Sequence, residues 1–136
     1  RASRQDRPSC GVFSYRHFPL TQIHQNALSS AKASEAAGLQ NKFWEMHDLL
    51  YMNQQEWSTV IKSKEIFIGY AKTLGLDVSK FSQDLELKSI DEKIKSDYES
   101  GIKLGVQGTP TFFLNGKKID NPRSYEDFKK LIELAK

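Results

Sequence analysis

The stretch from Gly105 to Lys117 reads Gly-Val-Gln-Gly-Thr-Pro-Thr-Phe-Phe-Leu-Asn-Gly-Lys and constrains this chain more than any other. Thr111 to Leu114 is β-branched and aromatic, and Asn115-Gly116 is the dipeptide that a two-residue hairpin turn selects. Lys117 to Ile119 then returns as a second strand. Pro110 stands directly before this strand. A proline cannot donate to a ladder, so it belongs at the strand's first residue or at an interruption. A cis peptide bond at Thr109-Pro110 is one way to aim such a turn, because only X-Pro bonds reach that state cheaply.

The other limits come from size, charge and sulfur. A chain of 136 residues with 38% hydrophobic and 27% charged residues suits one globular domain with one core. No apolar run approaches the ~20 residues that span a bilayer. The net charge of +3 is carried by the first sixteen residues, where Arg1, Arg4, Arg7 and Arg16 face only Asp6. Removing these five from 20 basic and 17 acidic residues leaves 16 of each. No basic stripe interleaves with aromatics, so nucleic-acid binding is not expected. Cys10 is the only cysteine, which rules out an intrachain disulfide and a Cys-x-x-C pair.

Residues 1–11 are polar, with Pro8 and Gly11 as breakers, and read as a flexible basic leader. Val12 to Phe18 alternates with large groups on both sides, as a strand covered on two faces does. Alanines across Ile23–Gly38 predict a helix with close backbone approach, and Asn41 is placed to cap the next one, which carries Phe43, Met46, Leu49, Leu50 and Tyr51. Gln54 to Thr59 reads as a connection around Trp57. Ser63 to Leu74 is a third helix, Asp77 to Phe81 a short turn of helix, and Leu85 to Leu104 a long helix. Ser124 with Asp127 resembles a capping box for a terminal helix lined by Tyr125, Phe128, Leu131, Ile132 and Leu134.

The order strand, helical block, hairpin, helix has a family behind it. Gly105–Lys117 resembles the cis-proline loop, strand and hairpin of the thioredoxin superfamily, and Tyr15-Arg16-His17-Phe18-Pro19-Leu20 with the helices after it resembles the DsbA-type branch. The resemblance covers residues 12–136 and implies an α/β fold, a thioredoxin-like sheet with residues 21–104 as an inserted helical subdomain. It also implies a first strand, a Cys-x-x-C and an active-site helix, a unit of about 30 residues by the dimensions of strand, turn and helix. The eleven residues before Val12 are too few for it, so that segment is expected to be absent from this sequence.

What the resemblance implies in function is thiol–disulfide exchange with unfolded or partly folded polypeptides in the periplasm or another extracytoplasmic space, recharged by a redox partner protein. No metal, nucleotide or other cofactor is required. Gln107, Gly108, Thr109 and Pro110 would form the substrate-binding edge, where the backbone of the residue before the cis-proline pairs with an extended peptide. For Cys10 three readings stand side by side: an incidental thiol, a vestige of the motif, or a catalytic nucleophile. Arg7-Pro8-Ser9-Cys10 resembles Cys-Pro-Ser-Cys with arginine in the first position. A lone thiolate could form a mixed disulfide but could not release it by intramolecular attack. The alternative is a redox-inactive peptide-binding or structural domain. Loss of the first strand would leave a sheet edge open, so a homodimer is expected.

His17, His24 and His47 have no Cys or carboxylate at ligand spacing and are not expected to bind metal. Glu45 and Asp48 flank His47 but are expected on different faces. Trp44, Trp57 and the Phe and Tyr stripes read as core.

Overall fold

A computed structural model describes residues 3–7 and 11–134, with side chains from Phe13 onward. In chain order the elements are β1 (Ser3–Arg7), β2 (Gly11–Ser14), α1 (Ala27–Gly38), α2 (Phe43–Met52), α3 (Gln54–Trp57) and α4 (Ser63–Thr73). They continue with α5 (Val78–Asp84), α6 (Lys88–Lys103), β3 (Phe112–Leu114), β4 (Lys117–Ile119) and α7 (Tyr125–Leu134).

Helix α1 is the centre. Ala33, Ala36 and Ala37 are fully buried and Ala31 nearly so, and this small-residue surface lets α2, α4, α5 and α6 all pack against one helix. Met46 and Leu50 of α2, Trp57, Phe67 and Ala71 of α4, Phe81, Leu85, and Ile90 and Ile94 of α6 complete the core around it. Met46, Phe67, Phe81 and Ile94 are its largest sealed side chains, each contributing about 1.5–3 kcal/mol by removal from water.

Two joints fix the helices to one another. Asn26 is buried, and its Nδ2 donates to the carbonyls of Trp57 at 2.6 Å, Val60 at 2.8 Å and Ser58 at 3.3 Å. Its Oδ1 accepts from Ser63 Oγ at 3.3 Å. One amide therefore holds the α3–α4 connection against the start of α1. Trp57 is pinned from the other side, with Nε1 donating to the Leu50 carbonyl at 2.9 Å.

The strands form two separate two-stranded antiparallel sheets, β1–β2 and β3–β4. The strand at Ser3–Arg7 falls within the expected leader. It pairs Ser3 with Ser14, Arg4 with Phe13 and Gln5 with Val12, with a register shift before Arg7. An edge strand can be wholly polar, since one row of ladder bonds suffices, so hydrophobic periodicity gives no sign of it. At the other end, β2 stops at Ser14 and not at Phe18. The alternation continues without a ladder: Tyr15 and His17 turn toward α1 and α2, and Phe18 toward α6.

Four local readings change. The first helix begins at Ala27 because Asn26 spends its side chain on the 57–60 carbonyls, and Leu20 to Asn26 forms turns instead. Asn41 does not cap α2. It adopts φ +64° after α1, the left-handed conformation that asparagine tolerates, and Lys42 occupies the N-cap position. Gln54–Trp57 is a short helix, and α6 starts at Lys88, after a turn through Leu85 and Glu86. The expected Ser124 cap is present, with Asp127 N donating to Ser124 Oγ at 3.1 Å.

Candidate functional site

The cis-proline segment is set at both ends by α6 and the β3–β4 hairpin. Helix α6 closes with Gly105 at φ +81°, its N–H donating to Ile102 O at 3.1 Å, while Val106 N donates to Gly101 O at 2.9 Å. This turns the chain back toward the sheet. Thr111 Oγ1 donates to Gly108 O at 2.6 Å and closes a tight loop around Thr109 and Pro110. The Thr109-Pro110 bond is cis, as the proline's position before a strand suggests. After it, Phe112 pairs with Ile119, Phe113 with Lys118 and Leu114 with Lys117. Asn115 and Gly116 sit at φ +51° and +82° between them. Both central residues at positive φ make a type I′ turn, whose twist matches the strands.

Gln107, Thr109 and Pro110 are exposed and Gly108 is half-buried, so the four residues singled out from sequence lie on one accessible loop. Among the described residues no hydrogen bond engages the Thr109 N–H or carbonyl. The Pro110 carbonyl is engaged, accepting from Asn121 Nδ2 at 2.9 Å. Behind the loop, Phe112 meets Phe128 of α7 edge-on at 5.3 Å. Cys10 lies outside the described residues.

A second constellation, not recognised from sequence, ties β2 to α1 and α6. His17 is buried, with Nε2 2.8 Å from Glu35 Oε2; their side chains are 4% and 11% exposed. The His17 backbone N–H donates to Asp97 Oδ2 at 3.1 Å, and buried Asp97 also pairs with Lys93 one turn earlier. Next to it Phe18 stacks on Tyr98 at 4.6 Å and 23°, lying directly over Gly101. The same glycine accepts from Val106 N, so one turn of α6 holds the end of the β2 segment and the start of the cis-proline loop together.

Just past β2, Tyr15 packs into an aromatic cluster on α2. Tyr15, Phe43, Trp44 and Tyr51 gather around His47, which lies 4.8–5.2 Å from the rings of Tyr51, Tyr15 and Trp44. The Tyr15 and Tyr51 hydroxyls are 3.2 Å apart. Burial, then the neighbouring Tyr51, pushes the Tyr15 phenol well above its ordinary range. The Tyr70 phenol is pushed up to about 12, chiefly by desolvation and then by its bond to Glu56. His47 is half-buried and His24 exposed. Asp48 does reach His47, with Oδ1 3.0 Å from Nδ1, because adjacent side chains can fold back along the helix surface. Glu45 turns to Lys42 instead. Among the described residues no group of three or more His, Cys, Asp or Glu could hold a metal ion.

A family model described as thioredoxin matches residues 12–134. The chain belongs to the thioredoxin family. Its α/β architecture is thus a thioredoxin-like domain with helices and small antiparallel sheets. Among curated proteins it is 41% identical over 104 residues to the Na(+)/H(+) antiporter NhaA 1 of Salinispora arenicola, covering 76% of this chain and 15% of that protein. It is 36% identical over 115 residues to the Na(+)/H(+) antiporter NhaA 1 of Mycolicibacterium gilvum, covering 82% and 18%. To the Na(+)/H(+) antiporter NhaA of Herminiimonas arsenicoxydans it is 36% identical over 104 residues, covering 76% and 16%. The chain therefore spans less than a fifth of the length of these relatives. No solved structure matches it significantly. Among its described residues no helix is long and apolar enough to cross a membrane.

Proposed function

We propose that this thioredoxin-like domain serves thiol–disulfide exchange of the DsbA type, and that its own contribution is to dock an extended stretch of an unfolded polypeptide on the cis-proline loop. The observation that carries this reading is the exposed Thr109 backbone beside a cis Pro110, with no partner among the described residues. A strand laid along that edge gains main-chain hydrogen bonds without depending on its sequence, which suits a protein that handles many substrates. Thr109 is the pairing residue. Gln107 and Gly108 line the approach, and the Pro110 ring supplies shape.

The sulfur chemistry needs two thiols. A first thiolate attacks one sulfur of a substrate disulfide, forming a mixed disulfide and releasing the other sulfur as thiolate; a second thiol then attacks the mixed disulfide. Cys10 is the thiol within these 136 residues, and a second thiol, from the same protein, a redox partner or the substrate, completes the exchange. An extracytoplasmic setting, where disulfides persist, belongs to the same reading. So does self-association through the edges of β2 and β3 that carry no ladder bonds among the described residues.

The test is binding and turnover measured side by side. The probe is reduced, carboxymethylated α-lactalbumin, an unfolded chain without free thiols. Wild type should bind it, and the Thr109→Ala, Pro110→Ala double variant should bind markedly less; equal binding refutes the docking role. Insulin reduction compared between wild type and Cys10→Ser separates thiol chemistry from a redox-inactive peptide-holding domain, since the latter predicts no difference. A second reading, favoured by relatives named as antiporters, places the domain beside a membrane cation transporter. Recovery of the full gene product in the soluble fraction, with no Na(+)/H(+) exchange in membrane vesicles, would remove it.

A further inference from the structure

The tip of the β3–β4 hairpin holds a chemical step that the proposed function does not use. Asn115 is followed by Gly116, and both are exposed. No other asparagine in the sequence precedes glycine: Asn26, Asn41 and Asn53 precede Ala27, Lys42 and Gln54, and Asn121 precedes Pro122. In an Asn-Gly step the glycine nitrogen can attack the asparagine side-chain carbonyl carbon. The N–Cγ bond forms, the bond from Cγ to the side-chain nitrogen breaks, and the glycine N–H proton leaves with the departing ammonia. The product is a five-membered succinimide, which water opens at either carbonyl to give aspartate or isoaspartate. Glycine favours the attack because it has no Cβ to crowd it. Proline, as after Asn121, has no N–H to lose and closes the route.

The fold decides when this step can occur. Ring closure needs the Gly116 nitrogen on the same side of the Cα–C bond as Asn115 Cβ. Asn115 lies at φ +51° and Gly116 at φ +82°, and the first position of a type I′ turn has ψ of about +30°. An L-residue at that ψ carries the next nitrogen nearly opposite its Cβ, so the closed turn keeps the reacting atoms apart. The pairs Leu114–Lys117, Phe113–Lys118 and Phe112–Ile119 hold the turn closed, and Phe112 is itself held by Phe128 of α7. Attack therefore requires the hairpin to open.

The two products differ in what they allow afterwards. Aspartate tolerates positive φ and fits the same turn. Isoaspartate routes the main chain through the side-chain carbon and adds a methylene between Leu114 and Lys117. A two-residue loop cannot absorb that extra atom and keep its register. We propose that Asn115 is a deamidation site gated by the hairpin, and that its isoaspartate product cannot re-form the β3–β4 ladder.

The test compares the full chain, native and unfolded in guanidinium chloride, at one mildly alkaline pH. Mass spectrometry locates the conversion and isoaspartyl methyltransferase counts the isoaspartate. The unfolded chain should convert first at Asn115. The native chain should convert there more slowly, by a factor at least as large as the hydrogen-exchange protection of the Lys117 amide, the donor that closes such a turn. Any conformer able to form the ring has lost that bond, so its population cannot exceed the population open to exchange. Phe128→Ala should raise the native rate about 5- to 30-fold, in line with its expected loss of stability. The isoaspartate form should lose exchange protection at Phe112 to Leu114, while Asn115→Asp, which reproduces the other product, should keep it.

Equal rates in the native and unfolded chains, or a slowing smaller than the Lys117 protection, overturn the gate. So does an unchanged rate in Phe128→Ala when exchange at Phe112 to Leu114 has risen. If that variant does not fold, guanidinium chloride below the unfolding transition replaces it. The wild-type rate must then climb in step with Lys117 exchange, and a flat rate refutes the gate. An unfolded chain that does not convert at Asn115 overturns the site itself, and an isoaspartate form with wild-type protection overturns its effect on the ladder.

Discussion

Gly101 is where a single methyl group should do the most damage. It lies in α6, where alanine is ordinarily favoured over glycine by about 1 kcal/mol. On the backbone alone, Gly101→Ala would stabilise. A Cβ there, however, would lie 2.7 Å from Cδ1 and 2.9 Å from Cε1 of Phe18. Carbon contacts settle near 3.5–4.0 Å, so the ring must retreat by about 1 Å. The ring is rigid and held against Tyr98, and moving it forfeits a stacked pair worth roughly 0.5–1.5 kcal/mol. Overpacking of this kind costs roughly 1–3 kcal/mol, so the net expectation is a loss of about 2 kcal/mol. On the Val106 side the new methyl would sit at 3.8 Å, an ordinary contact, so the clash is with Phe18 alone. In urea the midpoint should fall with an unchanged slope, and Tm should drop by about 8 °C for a domain of this size. The decisive measurement is the double-mutant cycle: in a Phe18→Ala background the same substitution should become neutral or stabilise by about 0.5–1 kcal/mol. A loss of equal size in both backgrounds would refute the steric argument.

Other consequences are open to measurement. A phenol whose folded pKa is raised contributes stability that is fully present below its unfolded value and lost as pH rises through the folded one. Tyr70, moved from 10.0 to about 12, should therefore make stability decline between pH 10 and 12. Tyr15 should be the last phenol to ionise, and a Tyr15→Phe variant should lose the latest step in the phenolate absorbance titration; an unchanged titration would contradict its burial. Asn26→Ala should cost about 2–3 kcal/mol in chemical denaturation, because it strips a buried donor from three carbonyls, and Asn26→Asp should be worse because it cannot donate. Full stability of either variant would remove Asn26 as a joint. Phe128→Ala should cost about 1–2 kcal/mol, since Phe128 is only half-buried, and the hairpin should suffer first. Hydrogen exchange at Phe112 to Leu114 should rise while α1 stays protected, and a uniform rise would contradict it.

What could be read from the sequence was whatever is encoded within a few residues. The Asn115-Gly116 turn and the Ser124 cap follow from the stereochemistry of neighbouring residues, the cis bond before β3 was one option for Pro110 that the family resemblance singled out, and each is present. The helices follow from apolar spacing, with ends displaced where a polar side chain had a distant commitment. Asn26 shows the reason: as a lone asparagine it reads as a turn former, and nothing local says that its amide faces carbonyls 31 to 34 residues away. His17 and Glu35, 18 residues apart, are equally silent. Lys93 and Asp97 did carry an i,i+4 signal, but it described an exposed pair and not a buried acid that also receives the His17 N–H. Asn121 reads as loop until the hairpin register is known. The site's loop was thus legible and its supports were not.

The two small sheets give this contrast a physical meaning. A two-stranded ribbon is marginal alone in water, and neither β1–β2 nor β3–β4 is joined to the other by ladder bonds among the described residues. What relates them is α6. Asp97 holds the His17 N–H, Tyr98 holds the Phe18 ring, and Gly101 lies under Phe18 while its carbonyl holds Val106 N. Three residues on one helical turn thus set the β2 segment relative to the cis-proline loop, and α6 is itself anchored in the core by Ile90 and Ile94. The helical body is therefore more than a cover for the sheets. It fixes the cis-proline loop in space, so substitutions in α6 should change how that loop is presented.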